Sequence, residues 1–216
     1  MLVPDNVPLE EAALMMCSSS TSLHALHKGR LAPGESVAIF GAGGLGMSAV
    51  QLAFILKASH VFAVDIDADR LAYAKSLGAI PIDANVGDPV EQIFQQTDGR
   101  GVDVALELIG LPLTMQQAVR CLGIHGRAAL VGITPEGFLL EAYDQLINKE
   151  AEVIGVSDHM ASDLVQLLQW AAEGRLDVSD VITERVPLEA DAINAVLDRL
   201  ERHGSGVRAV IIPRDR

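Results

Sequence analysis

The sequence is poor in cysteine and in positive charge, and both shortages limit what the protein can be. Its 216 residues include only two cysteines, Cys17 and Cys121, which stand far apart in the chain. They form no disulfide framework, which favours a reducing compartment, the cytoplasm. The 16 basic residues against 29 acidic ones leave a net charge of −13. This charge argues against nucleic acid and anionic membrane surfaces as partners.

Long apolar runs, low-complexity stretches and internal repeats are also missing. No run approaches the roughly 20 apolar residues that a helix needs to span a bilayer. The first residues, MLVPDNVPLEEAALMM, place no basic region before an apolar segment and so do not resemble a secretory signal. Hydrophobic residues make up 50% of the chain, enough for a substantial core. The length suits one large domain or a domain with a smaller lobe.

The most informative stretch is residues 36–46, SVAIFGAGGLG. Its first five residues are apolar and β-branched, which is typical of a buried parallel strand. The glycines that follow have the G-x-G-x-x-G spacing of a dinucleotide-binding turn. A helix without Gly or Pro comes next, and its N-terminal amides and dipole would hold a pyrophosphate. The candidate cofactor-binding residues of this turn are Gly41, Gly43, Gly44, Leu45 and Gly46.

A second apolar run, residues 60–64, ends at Asp65, 19 residues after Gly46. This is close to the separation expected for a carboxylate that binds a ribose 2′-hydroxyl. A carboxylate repels a 2′-phosphate, and Asp67 adds to that repulsion, so the sequence favours NAD over NADP. Arg70 keeps NADP open, because an arginine near the ribose suits a 2′-phosphate; otherwise it lies on the solvated face of the next helix.

Strand-like and helix-like segments alternate along the middle of the chain. Strands are predicted at residues 37–40, 60–64, 80–82, 102–107, 127–132 and 152–156, and helices at 44–57, 68–77, 89–96, 113–122 and 143–148. This alternation predicts an α/β fold, a Rossmann-type doubly wound parallel sheet of six strands in the order 3-2-1-4-5-6. A ligand then lies beyond the carboxyl ends of the strands, where the strand order reverses.

Further cofactor-binding candidates follow the fourth and fifth strands. They are Ile109, Gly110, Val131, Gly132 and Ile133. Gly110 and Gly132 remove side chains where a nicotinamide ribose needs room, although both also fit ordinary turns.

The two ends of the chain read differently from its middle. Residues 9–28 look helical, broken or loosened by the serine-rich run 17–22. A helix end or restart is expected there, because such side chains compete for backbone hydrogen bonds. After residue 158, helices at 161–173 and 188–201 and strands at 181–186 and 207–212 predict a small α+β lobe. The expected division is 1–34, 35–158 and 159–216.

Several stretches resemble the medium-chain dehydrogenase family, in particular its zinc-dependent alcohol and polyol dehydrogenases. The matching segments are AALMMCSSSTSLHAL (12–26), LAPGESVAIFGAGGLG (31–46), VFAVDIDADRLAYAKSLGA (61–79), ELIG (107–110), GRAALVGI (126–133) and GVRAVII (206–212). The combination of C-x-x-x-T, GAGGLG and D-x-D-x-x-R-L-x-x-A is specific, and the matches span nearly the whole chain.

The resemblance implies roles for five residues. Cys17 would supply one ligand of a catalytic zinc, and Thr21 would contact the nicotinamide. Asp65 and Arg70 would hold the adenine-side ribose, and Arg208 would reach the pyrophosphate. From composition alone, Cys17 beside two methionines is equally a small buried hydrophobe.

The family's other zinc ligands come from an N-terminal GroES-like domain that this sequence does not contain. A catalytic zinc needs three protein ligands and an open position, and only Cys17 matches one. His24 and His27 are the nearest alternatives, and we expect them on an exposed helix face. The resemblance therefore implies the NAD-binding portion of an alcohol dehydrogenase, which we expect to be inactive alone.

In the complete enzyme we expect hydride transfer between a small alcohol or polyol and NAD, with zinc polarising the substrate oxygen. Two other functions stay open: a zinc-free quinone or enoyl reductase that uses NADPH, and a non-catalytic NAD-binding module. The family also implies a homo-oligomer, in which the edge strand at 152–156 pairs with its copy in a second subunit. Apolar surface is expected on the first segment and the C-terminal lobe, exposed or buried in such an oligomer.

Overall fold

The computed structural model of the chain describes residues 2–201 and 208–213. The strands within these residues are β1 (Ser36–Phe40), β2 (His60–Asp65), β3 (Ile80–Asp83), β4 (Val102–Glu107), β5 (Leu122–Leu130), β6 (Glu152–Gly155), β7 (Ile182–Pro187) and β8 (Arg208–Ile212). The helices are α1 (Leu9–Leu14), α2 (Ser20–Lys28), α3 (Gly44–Ile55), α4 (Ala68–Ser76), α5 (Pro89–Gln96), α6 (Pro112–Arg120), α7 (Ala161–Ala172) and α8 (Ala190–Glu201).

Strands β1 to β6 form one parallel sheet in the order β3-β2-β1-β4-β5-β6, which confirms the predicted Rossmann-type topology. Strand β1 lies at the centre, and its Val37 pairs with Val61 on one side and Val104 on the other. The chain runs outward from β1 to β3 and then returns to β4. The strand order therefore reverses between β1 and β4, where such folds bind ligands.

Helices cover both faces of this sheet, which explains why its strands read as continuous apolar runs. On one face, α2, α3 and α7 contribute Leu23, Val50 and Leu167 to the larger core cluster. On the other, α5 and α6 pack Ile93 and Val119 against the opposite side chains of the same strands. The sheet is thus covered by helices on both faces.

The N-terminal helix is loosened at the serine run, as predicted, and the α-helix starts again at Ser20. Helices α1 and α2 are joined by a π-helical turn, Met15–Ser19. The Ser18 hydroxyl donates to the carbonyl of Leu14 (3.1 Å), and the Ser22 hydroxyl donates to that of Ser18 (2.8 Å). Because these hydroxyls bond back along the helix, they widen one turn instead of terminating it.

Some of the predicted ends of helices and strands were wrong. Helix α3 ends at Ile55 because Lys57 takes a left-handed conformation, with φ of 67°. Strand β5 begins at Leu122, which pairs with Val102 across a shift in register, and so α6 ends earlier than predicted. Residues Ala142–Ile147 form a π-helical turn where an α-helix was expected.

The C-terminal part divides into two. Helix α7 packs its Leu164, Leu168 and Trp170 into the core beside the main sheet. Strands β7 and β8 form a separate two-stranded parallel sheet, with α8 beside it. Val207, predicted to begin the last strand, lies outside the described residues. Leu2, Leu9, Met16, Leu188, Leu197 and Leu200 leave apolar side chains exposed at the two ends of the chain.

Within the described part of the chain, no helix has the length and apolar character needed to cross a membrane.

Candidate cofactor site

The glycine-rich turn joins β1 to α3 at the point where the strand order reverses. Gly41 has φ of 98°, a conformation that L side chains rarely adopt. A Cβ placed on Gly46 would lie 1.8 Å from the carbonyl oxygen of Gly41, so only glycine lets α3 pack this closely on the turn. A Cβ on Gly43 would have no neighbour within 4 Å. The turn is therefore tightly packed at its ends and open in its middle.

The Asp65 carboxylate ends β2 and binds the backbone around it. It is 8% exposed. Its Oδ2 accepts a hydrogen bond from the Ala42 amide (2.7 Å), and Oδ1 accepts from the amides of Ile66 (2.8 Å) and Asp67 (3.0 Å). Asp65 thus ties the end of β2 to the glycine-rich turn before any ligand is considered.

Arg70 does not simply point into solvent. Its Nη1 lies 3.9 Å from Oδ2 of Asp65, and its Nε lies 3.7 Å from Oδ2 of Asp67. The guanidinium therefore partly neutralises the two carboxylates, although its side chain stays about a third exposed (32%). A group bound here meets both signs of charge.

Arg208, the first residue of β8, lies over the beginning of α3. A Cβ built on Gly44 would be 2.0 Å from the Arg208 Nε, so the side chain occupies the space that this glycine leaves free. That Nε is buried and has no hydrogen-bond partner. Burial lowers the pKa of Arg208, and the nearby Cys17 partly offsets this. A guanidinium at a helix N-terminus, with an Nε that no described residue satisfies, is suited to an anionic group.

A cleft of about 520 Å³ opens at the carboxyl ends of β1, β4 and β5. It brings together predicted residues from four separate stretches of the chain. The residues around it are Cys17, Thr21, Leu45, Leu108, Ile109, Val131, Gly132, Ile133, Val156, Ser157 and Asp158. Seven of these were site candidates in the sequence: Cys17, Thr21, Leu45, Ile109, Val131, Gly132 and Ile133. Cys17 is exposed, so it is not the buried hydrophobe that composition allowed.

Gly110 and Gly132 pack against each other behind this cleft. A Cβ on Gly132 would lie 2.1 Å from the Gly110 amide nitrogen, and one on Gly110 would lie 2.6 Å from the Ile133 carbonyl oxygen. The sequence analysis predicted that glycine at these two positions leaves room for a nicotinamide ribose. In the structure, the space is filled by backbone from the opposite loop.

Glu107 is a candidate site residue that the sequence motifs did not predict. It is fully buried at the end of β4, and its Oε1 accepts hydrogen bonds from the amides of Ile109 (3.0 Å) and Gly110 (2.8 Å) and from the Thr114 hydroxyl (2.7 Å). The signal was present in the sequence: an acidic residue closes the apolar run VDVALE and is followed by a glycine three positions later. A buried carboxylate needs such donors.

His24 does not lie on an exposed helix face, contrary to expectation, whereas the His27 side chain is 40% exposed, as expected. Their Nδ1 atoms lie 3.0 Å and 3.1 Å from the two oxygens of Asp163, a buried residue of α7. The His24 side chain is only 17% exposed. These histidines therefore help to dock α2 on α7, with Asp163 also accepting from the Met160 amide (2.8 Å).

The described residues do not fit a catalytic zinc. Within residues 2–201 and 208–213, no three His, Cys, Asp or Glu side chains are grouped so that they could hold a metal ion. A catalytic site needs three protein ligands, and Cys17 is a single one.

A doubly wound parallel sheet with a glycine-rich turn and a cleft at the reversal of its strand order is a Rossmann-type architecture. Comparison with known families narrows this class. The profile of the zinc-binding dehydrogenases matches residues 44–173, and the chain belongs to that family.

Relatives with assigned names agree. The chain is 28% identical over 211 residues to (R,R)-butanediol dehydrogenase of Bacillus subtilis and 34% identical over 209 residues to an alcohol dehydrogenase of Geobacillus stearothermophilus. These alignments cover 98% and 97% of this chain but only 60% of each relative. The solved benzyl alcohol dehydrogenase of Acinetobacter calcoaceticus superposes with a TM-score of 0.90 at 29% identity, covering 98% of this chain and 59% of that structure. The chain thus spans about three fifths of these relatives' length.

Proposed function

We propose that this chain binds NAD in the cleft at the reversal of strand order and serves as the cofactor-binding part of an alcohol or polyol dehydrogenase. The observation that carries the proposal is the Nε of Arg208, buried over Gly44 at the beginning of α3 without a hydrogen-bond partner among the described residues. The names of the relatives support the reaction, and one of them, from Sulfolobus acidocaldarius, is named an NAD-dependent alcohol dehydrogenase and is 32% identical.

Each half of the cofactor has proposed partners. The pyrophosphate accepts hydrogen bonds from the amides at the beginning of α3 and from Arg208. The ribose on the adenine side donates to Asp65, with Arg70 beside it. The nicotinamide half lies in the cleft between Thr21 and the loops after β4 and β5. The proposed partners there are Thr21, Ile109, Gly110, Val131, Gly132 and Ile133.

When bound, NAD supplies the hydride acceptor. This chain's own residues hold the two ends of the cofactor, fix the nicotinamide against an apolar wall of Ile109 and Val131, and keep water from that face. Because the described residues lack a set of zinc ligands, we assign no step to a metal here. We propose that Cys17 contributes one ligand in a complete enzyme, and that this chain alone does not turn over alcohols.

Assembly and location are part of the proposal. Strand β6 has a hydrogen-bonded neighbour, β5, on one side only among the described residues, and most of its residues are exposed. We propose that two copies of the chain pair through β6 as a homodimer. The shortage of cysteine supports a cytoplasmic location. Sedimentation across a hundredfold range of concentration would contradict the dimer if it showed only monomer.

Calorimetric titration with NAD and NADP, on the wild-type chain and on Asp65→Ala, tests the cofactor assignment. We expect NAD to bind more tightly than NADP and the variant to lose most of that difference. Binding of neither cofactor would contradict the proposal.

One observation favours a second function, a non-catalytic NAD-binding module: no metal-binding group exists among the described residues. If the chain binds NAD but stays inactive when mixed with the N-terminal part of a relative, this second function is favoured. A preference for NADPH would instead point to a zinc-free reductase.

A further inference from the structure

The environment of Glu107 is unusual for a charged side chain. It is 0% exposed at the centre of the sheet, and all three of its hydrogen bonds fall on one oxygen, Oε1. The other oxygen, Oε2, is buried and has no partner. Among the described residues, no Lys, Arg or His forms an ion pair with it. The two backbone amides can only donate, so their hydrogen bonds to Oε1 favour the ionised form of the carboxylate.

The position of this charge relates it to the cleft. Leu108 and Ile109, which follow Glu107 directly, form one wall of the cleft, and Gly132 belongs to another. The Glu107 carbonyl accepts hydrogen bonds from the amides of Val131 (2.9 Å) and Gly132 (3.1 Å). A Cβ on Gly132 would lie 2.6 Å from Oε2. The carboxylate therefore lies directly behind the two loops that wall the proposed nicotinamide half of the site.

The two redox forms of the cofactor differ in charge where those loops meet it. The nicotinamide ring of NAD carries a positive charge, and the ring of NADH is neutral. A fixed negative charge in a low-dielectric interior acts over several ångströms because little water screens it. Oε2 has no donor to neutralise it, so its field extends toward Gly132 and the cleft.

We propose that Glu107 is a positioning residue with a second, electrostatic role: it fixes the loop after β4 and biases the cleft toward the oxidised cofactor. It does not touch the cofactor, and it acts through Ile109, Gly110 and Gly132. This inference rests on the proposed function, because it presumes that the cleft binds NAD.

The test compares the dissociation constants of NAD and NADH for the wild-type chain and Glu107→Gln. Glutamine keeps the size of the side chain and an oxygen acceptor but removes the charge. We expect the ratio of the NAD to the NADH dissociation constant to rise about tenfold, with NADH affinity changed less than threefold. Thr114→Val is the matched control, since it removes one donor to Oε1 and leaves the charge, so the ratio should stay within twofold of wild type.

Two further results would overturn the inference in distinguishable ways. Equal weakening of NAD and NADH in Glu107→Gln would make the residue structural only, with the proposed function intact. Binding of neither form by the wild-type chain would refute the proposed function and this inference together. If Glu107→Gln does not fold, Glu107→Asp supplies the measurement: the charge remains, so both affinities should fall while their ratio stays that of wild type. A changed ratio would contradict the electrostatic role.

Discussion

The glycine-rich turn and the surroundings of Cys17 border the same cleft, yet this chain supplies their polar partners very unequally. Asp65, from the next strand, accepts a hydrogen bond from the Ala42 amide of the turn, and Arg208, from the far end of the chain, lies against Gly44 at the beginning of α3. At Cys17, an exposed thiol has no second metal ligand grouped with it among the described residues. The nearest histidine candidates, His24 and His27, face Asp163 instead.

The difference shows how two parts of a dehydrogenase site depend on the fold. We propose that cofactor recognition arises from one β–α–β unit and a returning strand, and this chain contains those elements. Metal coordination requires three protein ligands, and Cys17 would supply one of them. Four predictions test whether these two regions are as independent as this suggests, and a fifth concerns the buried Cys121.

The largest effect is expected from Gly46→Ala. The new methyl group would lie 1.8 Å from the Gly41 carbonyl oxygen, and backbone cannot move aside without opening the turn. We expect a loss of about 3 kcal/mol in the free energy of unfolding, measured by urea denaturation, and no detectable NAD binding. Gly43→Ala is the control, because its methyl group meets nothing within 4 Å. It should keep wild-type stability and weaken only NAD binding. Equal stability of both variants would contradict this.

Asp65→Asn should have the next largest effect. It removes a charge that accepts three backbone hydrogen bonds and that we propose also binds the ribose. Hydrogen bonds to charged groups contribute about 1.5–3 kcal/mol, so NAD affinity should fall about 10- to 100-fold in calorimetry. NADP affinity should fall less or rise, because repulsion of the 2′-phosphate is removed. A parallel loss for both cofactors would assign Asp65 to holding the turn alone.

Arg208→Met should separate binding from stability. Methionine keeps an unbranched side chain but removes a guanidinium whose buried Nε has no hydrogen-bond partner among the described residues. The variant should be at least as stable as wild type, because no charge is then desolvated, while NAD affinity falls about tenfold from loss of a charged hydrogen bond. Thermal melting and calorimetry provide the two readings. A large drop in melting temperature would show that Arg208 is structural.

The smallest effect is expected at Cys17, the proposed zinc ligand. Cys17→Ser should change the free energy of unfolding and of NAD binding by less than about 0.5 kcal/mol, since an exposed side chain with no grouped ligands contributes little. A thiol reagent should modify only Cys17 in the native protein. Burial raises the pKa of Cys121 to about 12 from an ordinary value of 9.0, so its thiol should react only after unfolding.

The buried thiol of Cys121 also makes the free energy of unfolding depend on pH. The unfolded chain releases the thiol proton at lower pH than the folded chain does, so the stability contributed by this group is complete below about pH 9. It should be lost progressively as the pH rises from 9 toward 12. Cys121→Ala should reduce that loss in urea denaturation series, and an unchanged slope would contradict the assignment.

The strand order and the glycine-rich turn were predictable because each depends on residues close together in sequence. Alternation of apolar runs specified the sheet, and G-x-G-x-x-G followed by Asp65 specified where its ligand end lies. The contacts of His24 and His27 with Asp163 were not predictable, because they join positions more than 130 residues apart. The loosening of the helix at the serine run was predicted, but its π-helical form at Met15–Ser19 was not, because serine hydroxyls favour both helix ends and bonds back along a helix.

That widened turn sets the phase of the helix on either side of it. Each residue of an α-helix advances the side chain by about 100°, and a π-helical turn accommodates one more residue than an α-helical turn. Met15 is fully buried while Cys17 is exposed toward the cleft, and Thr21 borders the cleft one turn later. Deleting one serine would therefore rotate the preceding thiol away from the cleft while Thr21 stays in place. The direction of the Cys17 sulfur thus depends on the number of residues in the π-helical turn, and not on the atoms that surround the sulfur.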